Sequence, residues 1–432
     1  MADDHHNSVR RALGIANMGV GVAGSYLGYA LQRAILGETK TRNKLKATHT
    51  RAARRMADEM QTLRGAAMKL GQTLSLQTGT LPDETLAELV NLQMNAPPMH
   101  PSLVRAQFKQ SLRAEPEEIF RRFADEPFAA ASLGQVHHAT TRDGKRVAVK
   151  IQYPGIQQSL ANDFRIFRAI TKPAQASGHI PRNAIDEVEQ QILAETDYLR
   201  EADNIDFFRR QLAPLSFVTV PSVLREYSSD KVLTMSLVRG SHLDDLLARR
   251  PSQKLRNLLG TNLFNLFYFQ VLKAEALHAD PHWGNYLFKD NGTISLVDFG
   301  CTKYMSPAAV AYLRSVFLYS GSTHSAEFSR LLERYYQDAH QELLPGTRRA
   351  LIRFCDNFYR RVYPPGLDGE RPFDFGDRKF LQVFLTEAKN LFRTRGVLAE
   401  LIFMARAEMG MYQTLHRLQA RVHTSRIVRK YL

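Results

Sequence analysis

The side chains best equipped for chemistry fall late in the chain. His278, Asp280 and Asn285 share one short stretch, LHADPHWGNYLF (277–288), and Asp298 ends an apolar run soon afterwards, in LVDFG. Carboxylate and amide oxygens are hard donors of the kind magnesium takes alongside phosphate and water. A metal-bound polyphosphate is therefore the chemistry these residues fit. Such a group also needs a cation, and Lys150 closes the apolar part of KRVAVKIQ (145–152). The alternation there predicts a strand. A zinc site is disfavoured, because His137, His138, His278 and His282 form two pairs with no thiolate at ligand spacing.

The order of these residues matters as much as their types. His-x-Asp, then Asn, then a hairpin, then Asp298-Phe299-Gly300 follows the spacing of the H-R-D-x-x-x-x-N and D-F-G elements of protein kinases. The hairpin is NYLFKDNGTISLVDF, turning at the DNG of 290–292. A kinase lysine also pairs with a glutamate on a helix. The sequence predicts one long helix over about 183–212, carrying Glu195, Asp197 and Glu201. With about 100° per residue, Asp197 and Glu201 would lie about 40° apart and Glu195 about 120° from Glu201. Glu195 and Glu201 would then be able to address two different cations. The G-x-G-x-x-G expected before the lysine strand is missing, and FAAASLGQVHHA (128–139) stands in its place. Alanine methyls restrict how closely a backbone approaches phosphate.

The elements that must position these residues follow from periodicity. Met56, Met60, Leu63, Ala67, Leu70 and Leu74 form a stripe at helical spacing, predicting a helix over 51–76. A second covers LPDETLAELVNLQ (81–93), with Pro82 and acids in its first turn. NAPPMHPS (95–102) marks a boundary, and another helix is expected over 101–114. Strands begin near residue 126 and include FVTVPSV (217–223) and KVLTMSLV (231–238). From 241 the pattern is helical apart from the hairpin. Met404, Met409 and Met411 read as helix core, and the basic tail RVHTSRIVRKYL reads as solvated.

Composition sets the outer limits. The 432 residues are 44% hydrophobic and 23% charged, enough for two or three domain-sized units. The cysteines, Cys301 and Cys355, are only two, which excludes a disulfide scaffold and fits a reducing compartment. A net charge of +15 calls for an anionic partner. The surplus is dense between Lys40 and Lys69, where Asp58 and Glu59 are the only acids. Residues 12–32 carry no charge and contain Gly24 and Gly28 at helix-contact spacing, so a glycine-rich helix is expected, packed on a membrane or on protein. No aromatic-basic stripe or groove-reading motif accompanies the charge, so nucleic acid is not the expected partner.

Taken together these motifs resemble the UbiB family, the atypical, kinase-like proteins with an aarF domain associated with ubiquinone biosynthesis. Lys69-Leu70-Gly71-Gln72 matches its KxGQ motif, and Ala129-Ala130-Ala131-Ser132 its alanine-rich nucleotide loop. Glu195-Thr196-Asp197 matches its ExD motif, and Glu201 to Asn204 the stretch behind it. His278 to Asn285 matches its HxDPHPGN loop, with Trp283 where a proline is usual. The resemblance implies that Lys150 binds the α/β-phosphates and pairs with Glu201. Asn285 and Asp298 would hold Mg²⁺, and Asp280 would stand where a kinase base stands. Lys69, Gly71 and Gln72 would form a lid, with Lys69 held by Glu195 and Asp197, obstructing a protein substrate. Met235 and Leu237 would flank the nucleotide, Met235 as gatekeeper, while Ser236 replaces a usual glutamate.

The expectation is an α+β, kinase-like bilobal fold with a small β-rich N-lobe, a larger helical C-lobe and an N-terminal helical extension. The expected units are 1–37, the glycine-rich helix; 38–125, the extension carrying KxGQ; 126–238, the N-lobe; and 239–432, the C-lobe. The implied activity is ATP hydrolysis with Mg²⁺ and ATP or ADP, in support of isoprenoid-quinone or lipid handling. The implied partners are anionic membrane lipid, a quinone precursor or similar lipid, and ubiquinone-pathway proteins. The implied place is the cytoplasmic face of a membrane, bacterial rather than organellar. The alternatives are a small-molecule phosphotransferase of the aminoglycoside or choline kinase type and a nucleotide-binding scaffold without turnover.

Overall fold

The computed structural model describes the chain from Met99 onward, apart from Ser132 and positions 159, 162–163, 166–167, 169–188, 191, 280–282 and 364–370. The segment 12–32, the helices expected over 51–76 and 81–93, and Lys69, Gly71, Gln72, Ser132 and Asp280 lie outside the described residues, as does the side chain of Trp283. The chain divides into two compact units. The first runs up to Leu199 and includes Arg225–Thr234; the second takes Arg200–Leu224 and Met235–Leu432.

In the first unit, α1 (Pro101–Leu112) starts where His100 accepts a hydrogen bond from the Ser102 N–H and Pro101 takes a position that needs no amide proton. It ends at Arg113, which turns left-handed at φ 57°. Its Phe108 packs 5.9 Å from the rings of both Phe120 and Phe123. After the short α2 (Pro116–Ile119) comes a four-stranded sheet. Its order is β1 (Phe120–Ala131), β2 (Gly134–Thr141), β3 (Arg146–Gln152) and β4 (Val232–Ser236), with β1–β2 and β2–β3 antiparallel. The first strand begins earlier than its alternation indicated. Register shifts before Arg122, Pro127 and Ala129 break the period of two that a strand otherwise shows. Beneath the strands, Leu133 is buried with Ile156, Leu160, Phe164 and Ile192, which anchors the end of the alanine loop.

The long helix expected over 183–212 is interrupted. Glu195 and Thr196 form a turn, Asp197 is non-helical, and a new helix, α3 (Tyr198–Gln211), begins. Thr196 turns its hydroxyl and its N–H back onto the Leu193 carbonyl, and Asp197 accepts from the Leu199 N–H. These are local bonds that Ser, Thr and Asp side chains offer in competition with a helix. Asp197 thus stands before the first turn, and the face-sharing expected of Asp197 and Glu201 does not hold.

The second unit is mostly helical. At its centre, α5 (Gln253–Leu272) follows the short α4 (Leu243–Ala248) and is capped by Ser252, whose hydroxyl accepts from the Leu255 N–H. The expected hairpin is present as β6 (Tyr286–Phe288) and β7 (Ile294–Leu296), with Gly292 supplying φ 89° at the turn. A second pairing is unheralded: β5 (Ala276–His278) runs antiparallel to β8 (Thr302–Tyr304). Helices α6 (Pro307–Leu318), α7 (Ala326–Asp338), α8 (Pro345–Phe354), α9 (Arg378–Arg393), α10 (Ala399–Leu418) and α11 (Thr424–Arg429) complete the unit. Met404 and Met411 are buried on α10, as helix core requires, whereas Met409 is only half-buried. The basic tail departs from expectation. Val422, Ile427 and Val428 are buried, Thr424 donates to the Val362 carbonyl, and Tyr431 reaches Asn265, so apolar residues between the cations dock it.

Candidate functional site

Each unit carries candidate residues of its own. In the first, the cross-strand register puts Val136 opposite Lys150 and Ala129 opposite Val136. Lys150 is 5% exposed, and its ammonium lies 5.0 Å from the centroid of the Tyr198 ring. An aromatic face attracts a cation more strongly where water is excluded. Tyr198 is fully buried and opens α3 directly after the ExD turn. That turn is tied to the lysine strand: Gln152, two residues past Lys150, donates to the Thr196 carbonyl at 2.7 Å. Glu195 is buried and Asp197 exposed.

The alanine loop retains one glycine. Aligned with G-x-G-x-x-G-x-V, Ala129 and Ala131 replace the first two glycines, while Gly134 and Val136 keep the last two positions. A methyl at Gly134 would stand 2.2 Å from the Ile151 carbonyl oxygen and 2.8 Å from the Tyr198 hydroxyl. The strand and the tyrosine approach too closely for a side chain there.

In the second unit, the β5–β8 pairing brings the HxD segment beside the D-F-G segment. Leu277 pairs with Lys303, His278 with Thr302, and the Ala279 N–H bonds the Cys301 carbonyl at 3.0 Å. His278 is buried; its Nε2 donates to the Asp298 carbonyl and its N–H to the Gln270 side chain at 2.8 Å. Asp298 takes the Gly300 N–H at 2.9 Å. The Val297 N–H bonds the Asn285 carbonyl at 3.2 Å, so Asn285 and the residue before Asp298 are joined through the backbone.

These two residues suit a hard cation. Asp298 offers carboxylate oxygens and Asn285 an amide oxygen, and among the described residues the Asn285 amide nitrogen, which would point away from a cation, is buried with no hydrogen-bond partner. His137 is no metal ligand. It is buried, its Nδ1 donates to the Ala124 carbonyl at 2.8 Å, and burial holds its pKa below the ordinary value. Among the described residues no cluster of His, Cys, Asp and Glu could hold a metal on its own.

Ser236 has a structural use. Its hydroxyl accepts from the Ser222 N–H at 2.9 Å and its own N–H bonds the Ser222 carbonyl at 2.8 Å. Met235, beside it, is buried on β4 and bridges to Val223. Sequence reasoning missed Tyr198, Gly134 and the part played by Asn204. Their signals were the position directly after ExD, the sixth place of the glycine pattern, and a spacing of three residues from Tyr198 through Glu201 to Asn204.

The family model for the ABC1 atypical kinase-like domain matches residues 91–329, more than half of the chain. Similar curated proteins include the probable serine/threonine-protein kinase abkA of Dictyostelium discoideum, 27% identical over 95% of this chain and 76% of that protein. The mitochondrial atypical kinase COQ8B of Rattus norvegicus is 32% identical over 58% of this chain and 48% of its own length. The mitochondrial atypical kinase COQ8 of Saccharomyces cerevisiae is 30% identical over 62% and 54%. The chain spans about half the length of these last two relatives. Among solved structures, the Rv3197–erythromycin complex from Mycobacterium tuberculosis matches with a TM-score of 0.60 and 24% identity, over 91% of this chain and 98% of that one. The fold is kinase-like, with many helices and small sheets.

Proposed function

We propose, from the premise that this chain belongs to the ABC1 atypical kinase-like family, the UbiB proteins, that it binds a magnesium–nucleotide and hydrolyses ATP slowly at a membrane surface. The observation that carries this reading is the second unit's Asn285–Val297 backbone bond, which joins the segment bearing the amide to the residue before the tethered Asp298 carboxylate. In this reading Asn285 and Asp298 hold Mg²⁺, which when bound neutralises phosphate charge. Lys150 takes the α/β-phosphates, with Tyr198 beside its ammonium and Glu201 as its carboxylate partner. The backbone of Ala129, Ala130, Ala131 and Ser132 borders the phosphates, and Met235 and Leu237 border the base. Asp280 accepts the proton of the attacking water as that oxygen bonds the γ-phosphorus and the β–γ bridging bond breaks, leaving ADP and phosphate. Lys69, Gly71 and Gln72, with Glu195 and Asp197, form the lid.

The resemblance to UbiB proteins, with relatives named as mitochondrial atypical kinases, supports a role in isoprenoid-quinone or lipid handling. Among the described residues no helix is long and apolar enough to cross a membrane. The surplus charge supports contact with anionic lipid. The test is phosphate release from ATP, with and without anionic liposomes carrying a phenolic quinone precursor. Release that requires Mg²⁺ and rises with the liposomes is expected. No release above buffer would remove the ATPase reading. The abkA relative, named a probable serine/threonine-protein kinase, supports a second reading, phosphoryl transfer to an acceptor other than water. Labelled γ-phosphate recovered on an organic acceptor instead of as free phosphate would favour it.

A further inference from the structure

We propose that Asn204 is a positioning residue for the metal-binding aspartate, holding the Phe299 carbonyl so that Asp298 keeps one orientation. This rests on the reading of Asp298 as a magnesium ligand. The backbone around Phe299 has two peptide groups, and each is held at both ends. In the Asp298–Phe299 peptide, the carbonyl takes the Nε2 proton of His278, and the N–H faces Glu201 Oε1 at 3.4 Å. In the Phe299–Gly300 peptide, the N–H goes to the Asp298 carboxylate at 2.9 Å, and the carbonyl takes the Asn204 amide at 3.0 Å. Thr302 adds a longer contact to that same carbonyl, at 3.4 Å.

Glu201 and Asn204 stand three residues apart on α3, one turn of the helix, and are 1% and 4% exposed. The Phe299 ring, itself fully buried, packs 5.5 Å from Phe208 of the same helix and 5.5 Å from His278. One helix therefore grips Phe299 by its N–H, its carbonyl and its ring. Asp298 turns only if these bonds break, because its carboxylate is bonded across the second peptide and its carbonyl belongs to the first.

Tyr304 decides which way the Asn204 amide faces. Its hydroxyl donates to Asn204 Oδ1 at 3.2 Å, leaving Nδ2 for Phe299. The Tyr304 ring is steadied 5.3 Å from Phe207. An aspartate at 204 keeps the shape and the acceptor for Tyr304 but sets an oxygen against the Phe299 carbonyl.

The test titrates Mg²⁺ into the full chain in the presence of ADP and follows nucleotide binding by calorimetry, beside ADP binding in EDTA. Asn204→Asp is expected to raise the half-saturating Mg²⁺ about tenfold, the scale of one lost buried hydrogen bond, with ADP affinity in EDTA unchanged. Tyr304→Phe, whose exposed side chain is a milder change, is expected to move it about threefold in the same direction, and it decides the matter if the aspartate variant does not fold. Wild-type Mg²⁺ dependence in a folded Asn204→Asp or in Tyr304→Phe would overturn the proposal. So would an equal loss of affinity with and without Mg²⁺, the mark of a merely structural role. A wild-type chain that binds ADP without regard to Mg²⁺ would refute the magnesium reading itself, a result distinct from either.

Discussion

Lys150 is a buried cation, and burial of an ammonium is costly without compensation. The Tyr198 ring supplies part of that compensation. Tyr198→Phe keeps the ring and should bind nucleotide within about twofold of the parent, whereas Tyr198→Leu should lose about five- to tenfold, the cation–π contribution of a desolvated pair. Equal behaviour of the two variants in a nucleotide titration would leave the ring without a part in holding Lys150. A second residue with a measurable signature is Glu408. It is buried in the C-terminal helices, where Tyr268 donates to it at 2.8 Å and Tyr359 at 3.3 Å, with Tyr363 and Tyr412 nearby. Burial pushes its carboxyl up to about 8, while the tyrosine hydrogen bonds pull the other way. The folded chain then keeps a proton that the unfolded chain gives up at its ordinary value of 4.5, so stability falls as pH rises from there towards about 8. Glu408→Gln should flatten that fall, melting close to the parent at about pH 4 and increasingly above it as the pH rises to about 9. Parallel melting curves across this range would contradict the assignment.

At the scale of elements, the hairpin turn and the helix expected over 101–114 were legible and long-range pairings were not. The DNG turn announced its hairpin because a positive φ at Gly292 is written into the residue type. Lys150 was legible because Val147, Val149 and Ile151 recur at strand spacing around it, although the strand is buried on both faces from Val147 to Gln152. The pairing of Ala276–His278 with Thr302–Tyr304 was hidden, since strands of three residues are too short to show a period. The helix break at Glu195–Asp197 was hidden as well, because the apolar stripe continues through it and the bonds that stop the helix include distant ones, from Gln152 to the Thr196 carbonyl and from the Tyr198 N–H to Asp230. The tail was misread because its cations are conspicuous, whereas the buried Val422, Ile427 and Val428 between them form the face that docks. One element-level prediction concerns the close approach at Gly134. Gly134→Ala must push back the Ile151 carbonyl or Tyr198, and should destabilise the chain by about 1–3 kcal/mol, the usual scale of overpacking. A melting temperature equal to the parent's would mean that the strand yields without cost.

For the whole molecule, family membership, the two compact units and the distribution of charge bear on one question: what the site binds, and where. The residues proposed for the site were readable from their order, because the oxygen donors and the cation that a metal-bound polyphosphate would need have few substitutes. The clamp around Phe299 was not readable, since nothing in the composition of α3 marks Asn204 as a partner for a backbone so distant in sequence. The net charge of +15 is a property of the molecule and predicts salt-sensitive attachment to anionic vesicles. Removal of residues 1–37 should lower flotation with such vesicles, and equal flotation would take that segment out of the membrane contact. The central claim is magnesium-dependent nucleotide binding through Asp298 and Asn285, and a thermal melt with ADP, with and without Mg²⁺, tests it most directly. The parent chain should gain a Mg²⁺-dependent rise in melting temperature that Asp298→Asn abolishes; the same rise in both would contradict the account.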